Sequence, residues 1–388
     1  MSDVHPGLIR VSFVIGSLAI GGAETQMIRL VNGLDRKRFE PSVICLIEGG
    51  ELEDGLAPDV AVIKPRGSPI AKGTMLRSVR VGLRALWVLA GSLRRRPDVV
   101  HAYLPAAYVP ASLVAWCFRV RLIVAGRRGF TSSGVYRTFW WRSLLRLANR
   151  AIDVQVCNSS SVRDAAVANE NLMLERTRVI HNGIDLPALN SPLLPPELDT
   201  EHPRAVMVAN FIAYKGHVEV MRAVAEVVKL HPELHLMLIG DGPRRQELER
   251  LRADLNLKDN VVFAGRRKDA AMLVQAFDFS ILGSSEESFP NALMESMAAG
   301  VPFVSTNVGG VTELVDDGVH GKLVPYGDVD VMADAITWML EHPEDRRRLG
   351  EAGRRRIGES FSTERMVAET EKVYDELLSA GHETPAAK

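Results

Sequence analysis

Between Phe279 and Pro302 the chain changes character twice, and each change narrows what it can fold into. Phe279-Ser280-Ile281-Leu282-Gly283 is an apolar run short enough for a buried parallel strand, and Gly300 with Pro302 marks a helix stop. Polar residues from Ser284 onward lie between, so the segment reads strand, loop, short helix. Pro290 sits where the helix begins and has no backbone donor to lose, which leaves the N–H groups near Asn291 pointing out of the loop. A helix start of that kind is an anion site. Glu287 falls just before the helix and Glu295 about one turn inside it, so two carboxylates flank the place where phosphates would sit. A phosphate alone needs no carboxylates. A sugar nucleotide does, because its hydroxyls need acceptors beside a diphosphate held by N–H groups and a cation.

The same rhythm runs through the first half. Strands are predicted at Arg10–Gly16, Ser42–Ile47, Val60–Ile63, Asp98–His101, Arg121–Ala125 and Asp153–Asn158. Helices are predicted at Ala23–Leu34 and near 74–96, 105–118, 136–150 and 159–168. Alternation of this kind predicts an α/β fold with a parallel sheet covered on both faces, and site residues in loops at the carboxyl ends of the strands. At 388 residues the chain exceeds the size at which one core stops growing, so two domains are expected.

Asn182-Gly183 is a turn signal, and the Pro-rich 187–203 that follows has no periodicity. The first domain is therefore placed at 1–184, a linker at 185–203 and a second domain at 204–361, with a terminal helix at 362–380. The second half restarts with a strand at Ala205–Ala209, the loop Asn210–Gly216 and a helix over 217–230; a strand at Val261–Ala264 and helices near 328–341 and 345–358 follow.

Several classes are excluded or disfavoured by composition. Cys45, Cys117 and Cys157 are far apart and lack metal-ligand spacing, and read as packed thiols of a reducing compartment. The start of the chain has no signal-peptide pattern, and the longest apolar run, Ala106 to Phe118, is interrupted by Pro110 and too short to span a membrane. A protein that is soluble or peripheral is expected.

Near-neutral overall charge hides an asymmetry. Residues 1–184 hold 25 Lys and Arg against 14 Asp and Glu, and within 66–152 sixteen basic residues face a single acid, Asp98. An anionic partner is expected there. In the helix near 136–150, Arg142, Arg146 and Arg150 form one stripe and Trp141, Leu145 and Ala148 another, with Phe139 and Trp140 at its start. The helix near 74–96 repeats the theme with Arg77, Arg80 and Arg84 around Leu76, Leu83, Leu86 and Trp87. That is the composition of helices lying on an anionic membrane surface. The other reading turns the apolar stripes to the core and leaves the arginines solvated.

Glu287-x7-Glu295, with Phe289-Pro290-Asn291 inside it, Gly300-Val301-Pro302 after it and Gly309-Gly310-Val311-Thr312-Glu313 downstream, resembles the donor-site signature of retaining glycosyltransferases with the GT-B fold, family four or group 1. The resemblance extends to Gly21-Gly22-Ala23-Glu24, to Val99-Val100-His101-Ala102-Tyr103-Leu104-Pro105, to Val179–Asp185, and to Lys215-Gly216 and Gly240-Asp241-Gly242-Pro243. It implies two Rossmann-like domains facing a cleft, with the terminal helix crossing back to the first domain.

The resemblance also implies roles. Gly21 and Gly22 would face the donor across the cleft, unless the pair is a plain turn. Gly240, Gly242, Phe289, Pro290, Asn291 and Glu295 would bind the donor, with Glu295 on the ribose. Lys215 would grip the diphosphate. Asn210 stands where the family carries an arginine, and Arg266 would partly replace it. Glu287 would accept from the sugar. His101 is either a site residue or a buried hydrogen-bonded histidine, and Arg127 stands where many relatives carry a histidine near the transferred sugar.

The expected reaction moves a glycosyl group from a UDP- or GDP-sugar to a saccharide or lipid-linked saccharide in cell-surface polysaccharide or glycolipid synthesis. The nucleotide sugar is a co-substrate, and no cofactor is expected. The sequence is read as carrying no divalent-metal Asp-x-Asp motif anywhere, so Lys215 and the helix N-terminus are expected to take the growing charge alone. Retention of configuration comes from the resemblance only. The expected location is cytoplasmic, peripheral on the inner face of the membrane. A sugar-nucleotide epimerase of the same fold would leave the basic aromatic helices without a purpose, and a phosphorylase needs a longer chain. A nucleic-acid binder would leave the acidic half unexplained, and no nucleic-acid partner is expected.

Overall fold

The computed structural model describes residues 7–65, 75–130, 138–170, 172–189 and 203–380. It divides into two compact units, Met1–Gly183 with Thr363–Lys388, and Ile184–Ser362.

The first unit is built on seven parallel strands: β1 (Ile9–Ile15), β2 (Phe39–Cys45), β3 (Ala61–Ile63), β4 (Val99–Tyr103), β5 (Leu122–Arg127), β6 (Val154–Cys157) and β7 (Thr177–Val179). Their order is β3-β2-β1-β4-β5-β6-β7, so the winding reverses between β1 and β4. Helices α1 (Gly22–Gly33), α2 (Met75–Leu93), α3 (Pro105–Cys117), α4 (Phe139–Ala151) and α5 (Ser160–Glu170) connect them. Strand β1 shows why the sheet is covered twice. Val11, Phe13 and Ile15 pack with Met27 and Leu30 of α1, while Val14 joins Val100, Leu89 of α2, Tyr108 of α3 and Leu145 of α4. A strand buried on both faces reads as a continuous apolar run, and the period of two is visible only in which cluster each residue joins.

The second unit carries six parallel strands: β8 (Arg204–Val208), β9 (His235–Ile239), β10 (Val261–Gly265), β11 (Phe279–Leu282), β12 (Phe303–Thr306) and β13 (Lys322–Val324). The order β10-β9-β8-β11-β12-β13 reverses between β8 and β11. Its helices are α6 (His217–Val227), α7 (Arg245–Asp254), α8 (Ala270–Leu273), α9 (Asn291–Ala298), α10 (Val311–Leu314), α11 (Val329–Glu341) and α12 (Pro343–Ser360). In an open sheet of this kind ligands bind beyond the carboxyl ends of the strands at the reversal point.

The last helix, α13 (Thr363–Ala380), belongs to the first unit. Met366, Val367 and Tyr374 join the cluster of Val11, Phe13 and Phe39, and Tyr374 is fully buried. Gly33 lets Val367 close on α1, since a side chain there would run into the valine Cγ2. Arg38 adds ion pairs to Glu371 at 3.1 Å and Asp375 at 2.5 Å, but with its side chain 41% exposed these contribute little beside the burial of the apolar face.

The predicted strands and helices are present with ends shifted by a few residues. Strands β7, β9, β12 and β13 were not expected as such. Three residues, as in β7 and β13, are too few to show a period, β9 is a short apolar run after its first histidine, and β12, Phe303-Val304-Ser305-Thr306, is half polar; neither alternates.

Candidate active site

The segment from β11 to α9 forms as strand, loop and helix. Pro290 is the N-cap with extended backbone and contributes no side-chain cap of its own. The first-turn N–H groups of an α-helix have no acceptor within the helix itself. Glu295 lies half-buried on the next turn.

Lys215 ends the loop after β8, and two glycines bring it to the loop after β11. Gly216 has φ +71°, and a side chain there would strike the Gly283 carbonyl; Gly283 in turn lies against Val220 and the Gly216 carbonyl. Only residues without Cβ allow this approach. As a result Lys215 Nζ lies 2.6 Å from Glu287 Oε1. Ser284 Oγ donates to the same oxygen, also at 2.6 Å. The Gly310 N–H donates to the Glu287 carbonyl at 2.9 Å, and Gly309, with φ +51°, lies against that carbonyl. Three loops, after β8, β11 and β12, thus meet on Glu287 at the reversal point of the sheet.

The Lys215 side chain is 19% exposed and that of Glu287 7%. Removing either partner leaves a charge short of its counterion in a poorly solvated place, while the intact pair adds little net stability because both groups are desolvated. An arrangement of this kind is suited to exchange partners with a ligand that carries its own charge and hydroxyls.

The loop after β9 closes against that after β8. Gly240, φ +151°, abuts the Ala209 carbonyl, and Gly242 abuts the backbone of Phe211. Asn210 is exposed within that contact region. His217 opens α6 with its ring 4.9 Å from Phe211. Burial, then the charges of Lys215 and Arg244, push its pKa down to about 4, so the imidazole is neutral at pH 7.

Other expected site residues stand elsewhere. Phe289 is buried in the apolar cluster with Leu293 and Phe303, its ring 5.4 Å from Phe361, so its side chain serves the core rather than a ligand. Arg266 is exposed beyond the end of β10, and β9 lies between β10 and β8. Gly21 is the N-cap of α1 and Gly22 its first residue, a turn into the helix.

His101 reads from sequence as either a site residue or a buried hydrogen-bonded histidine and Arg127 as a residue near the transferred sugar, and both lie inside the first unit. His101 is fully buried, with Nδ1 2.7 Å from the Tyr374 hydroxyl and its ring stacked on Tyr103 at 4.7 Å. Burial, helped by Arg128, holds its pKa well below the usual histidine range. Arg127, 3% exposed, spends its guanidinium on Glu170 at 2.9 and 2.5 Å and on Gln155. Strand ends that carry polar residues look alike in sequence whether the side chain turns to solvent or to a neighbouring helix.

On α4 the expected apolar stripe is the one that faces inward: Leu145 and Ala148 are buried and Trp141 half-buried. Arg142, Arg146 and Arg150 are exposed, and so are four other apolar side chains, Phe139 (72%), Trp140 (77%), Leu144 and Leu147. On α2, Trp87 and Leu83 are exposed and Arg84 is half-buried; the side chains of Arg77 and Arg80 lie outside the described residues. Trp116 and Phe118, at the end of α3 between those helices, are also exposed and were not expected.

Contrary to the expectation, the chain does contain one Asp-x-Asp, Asp328-Val329-Asp330. Asp328 caps α11, its Oδ1 accepting from the Val331 N–H at 3.1 Å. Ser284, Thr306 and His217 were missed because serine, threonine and a helix-start histidine carry no spacing signal. No described helix is long and apolar enough to cross a membrane.

Comparison with known proteins agrees with this architecture. The profile of Glycosyltransferase Family 4 matches residues 20–187, and that of Glycosyl transferases group 1 matches residues 195–356. The N-acetyl-alpha-D-glucosaminyl L-malate synthase of Bacillus anthracis is 34% identical over 173 residues, 45% of each chain, so the match spans about half of that relative. The lipopolysaccharide core biosynthesis glycosyltransferase LpsE of Rhizobium meliloti is 28% identical over 89% of this chain and 93% of its own. Among solved structures, Anabaena Alr3699/HepE in complex with UDP-glucose superposes with a TM-score of 0.78 at 21% identity, covering 95% of this chain and 99% of that one. Sucrose-phosphate synthase from Thermosynechococcus elongatus gives 0.79 at 19% identity over 96% and 99%. At such identities the structural likeness speaks for the fold. With one profile on each half, the chain belongs to the group 1 glycosyltransferases and has the GT-B fold of two Rossmann-like domains.

Proposed function

We propose that this glycosyltransferase takes a sugar from a UDP- or GDP-linked donor and places it, with retention, on a lipid-linked saccharide in cell-surface polysaccharide or glycolipid synthesis. The observation that carries the donor reading is the Lys215–Glu287 pair at the reversal point of the second sheet, beside the start of α9. Lys215 and the α9 amides take the diphosphate charge, Glu295 accepts from the ribose and Glu287 from the sugar. Anabaena Alr3699/HepE, of the same fold, has been solved with UDP and with UDP-glucose. A cation and a helix N-terminus supply the charge that a divalent metal supplies elsewhere, so the reaction runs without one. Activity that is lost in EDTA and restored by manganese would overturn that part.

The acceptor reading rests on the exposed aromatic and arginine side chains of α4, with Trp87 on α2 and Trp116 on α3. Such a surface suits the anionic cytoplasmic face of a membrane, where a lipid-linked acceptor is met. LpsE, named for lipopolysaccharide core biosynthesis, is a relative over most of its length.

A thermal-shift screen with UDP, GDP, UDP-glucose and GDP-mannose tests the donor. A bound nucleotide at a hundred times its Kd raises stability by about 2.7 kcal/mol, which moves the melting temperature by several degrees. No shift with any of the four would overturn the reading.

A further inference from the structure

The Glu287 carboxylate is held at one oxygen. Lys215 Nζ and Ser284 Oγ both lie 2.6 Å from Oε1, and among the described residues no hydrogen bond reaches Oε2. Lysine is a point charge on a flexible stem and has two further N–H donors for a diphosphate, so it cannot by itself fix how a carboxylate turns. Ser284 can. It is fully buried, and its own carbonyl accepts from Thr306 Oγ1 at 2.6 Å. Thr306 is fully buried at the end of β12. The chain Thr306, Ser284, Glu287 therefore ties the carboxylate to two neighbouring strands, β11 and β12.

We propose that Ser284, backed by Thr306, is a positioning residue for the transferred sugar: it keeps Oε1 turned inward and leaves Oε2 as the acceptor for a sugar hydroxyl. The proposal rests on the donor reading above and adds the groups that set sugar contact apart from nucleotide contact. Without the Ser284 hydroxyl the carboxylate retains Lys215 but loses its fixed rotamer. The nucleotide part of the site, made by Lys215 and the start of α9, is left in place.

Calorimetry with paired probes separates these parts: UDP against UDP-glucose, and GDP against GDP-mannose. In Ser284→Ala the Kd for the bare nucleotide stays within about twofold, while the ratio of sugar-nucleotide Kd to nucleotide Kd rises at least roughly tenfold over the wild type, the size of a lost hydrogen bond to a charged group. Thr306→Val, which keeps the shape and removes the hydroxyl, moves the ratio in the same direction by less, and carries the test if Ser284→Ala does not fold. Equal weakening of both ligands, in step with a fall in melting temperature, marks a merely structural serine and overturns the proposal, as does an unchanged ratio. A wild-type protein that binds neither nucleoside diphosphate overturns the donor reading itself, and this proposal with it.

Discussion

Lys215 and Glu287 are 72 residues apart in sequence and 2.6 Å apart in space. Their meeting depends on Gly216 and Gly283, whose backbones touch because neither has a side chain. Lys215→Ala removes one charge-assisted contact to a diphosphate, and a lost bond of that kind costs about 1.5–3 kcal/mol, roughly 10- to 150-fold in nucleotide Kd. Gly216→Ala puts a side chain into the Gly283 carbonyl at φ +71° and displaces Lys215, so the same loss is expected with the lysine still present. Calorimetry with UDP and GDP checks both, and unchanged affinities in both variants would remove Lys215 from the site.

Arg127 and Glu170 form a pair buried in the first unit. Arg127→Met alone takes the guanidinium away from the buried Glu170 carboxylate and should cost about 3–5 kcal/mol, a fall of roughly 6–20 °C in the melting temperature of that unit. Adding Glu170→Leu should recover most of it. Nucleotide affinity should not move in either protein, because the pair lies in the other unit from Lys215 and Glu287. A loss of activity in the stable double variant would give Arg127 a role in the chemistry after all.

Two neutral buried histidines give a pH dependence with a definite sign. The unfolded imidazoles take protons below about pH 6.5, while folded His101 and His217 resist, so acid favours the unfolded chain. Neither contributes above that pH. Below it, each costs about 1.4 kcal/mol per pH unit down to its folded value, about 4 for His217. Melting temperatures from pH 7.5 to 4.5 should therefore fall less steeply in His217→Gln than in the wild type. Parallel curves would show that His217 is not protected.

Membrane contact through α4 predicts sedimentation with anionic but not neutral vesicles, weakened by salt. At about 1 kcal/mol per basic side chain near the surface, Arg142→Glu with Arg146→Glu should abolish it. Trp140→Ser should weaken it at any salt concentration, since it removes apolar insertion rather than charge. Equal recovery in the supernatant with both lipids would point to an acceptor free in solution.

The alternation of apolar runs and helical stretches determined the α/β class, because periodicity and glycine turns act within a few residues and need no partner to be seen. The same is true of the strand, loop and helix around Asn291, and of Glu287 and Glu295 flanking the helix start. Tertiary structure decided everything that depends on facing. It turned Phe289 into the core, His101 toward Tyr374 and Arg127 toward Glu170, and it chose which stripe of α4 meets the sheet. It also recruited Ser284 and Thr306, residues too common to mark a site by type or spacing. The physical reason is that a local pattern fixes the direction of a strand, whereas a hydrogen bond between loops depends on which strands the parallel sheet sets side by side, and β8 and β11 become neighbours only when the winding reverses.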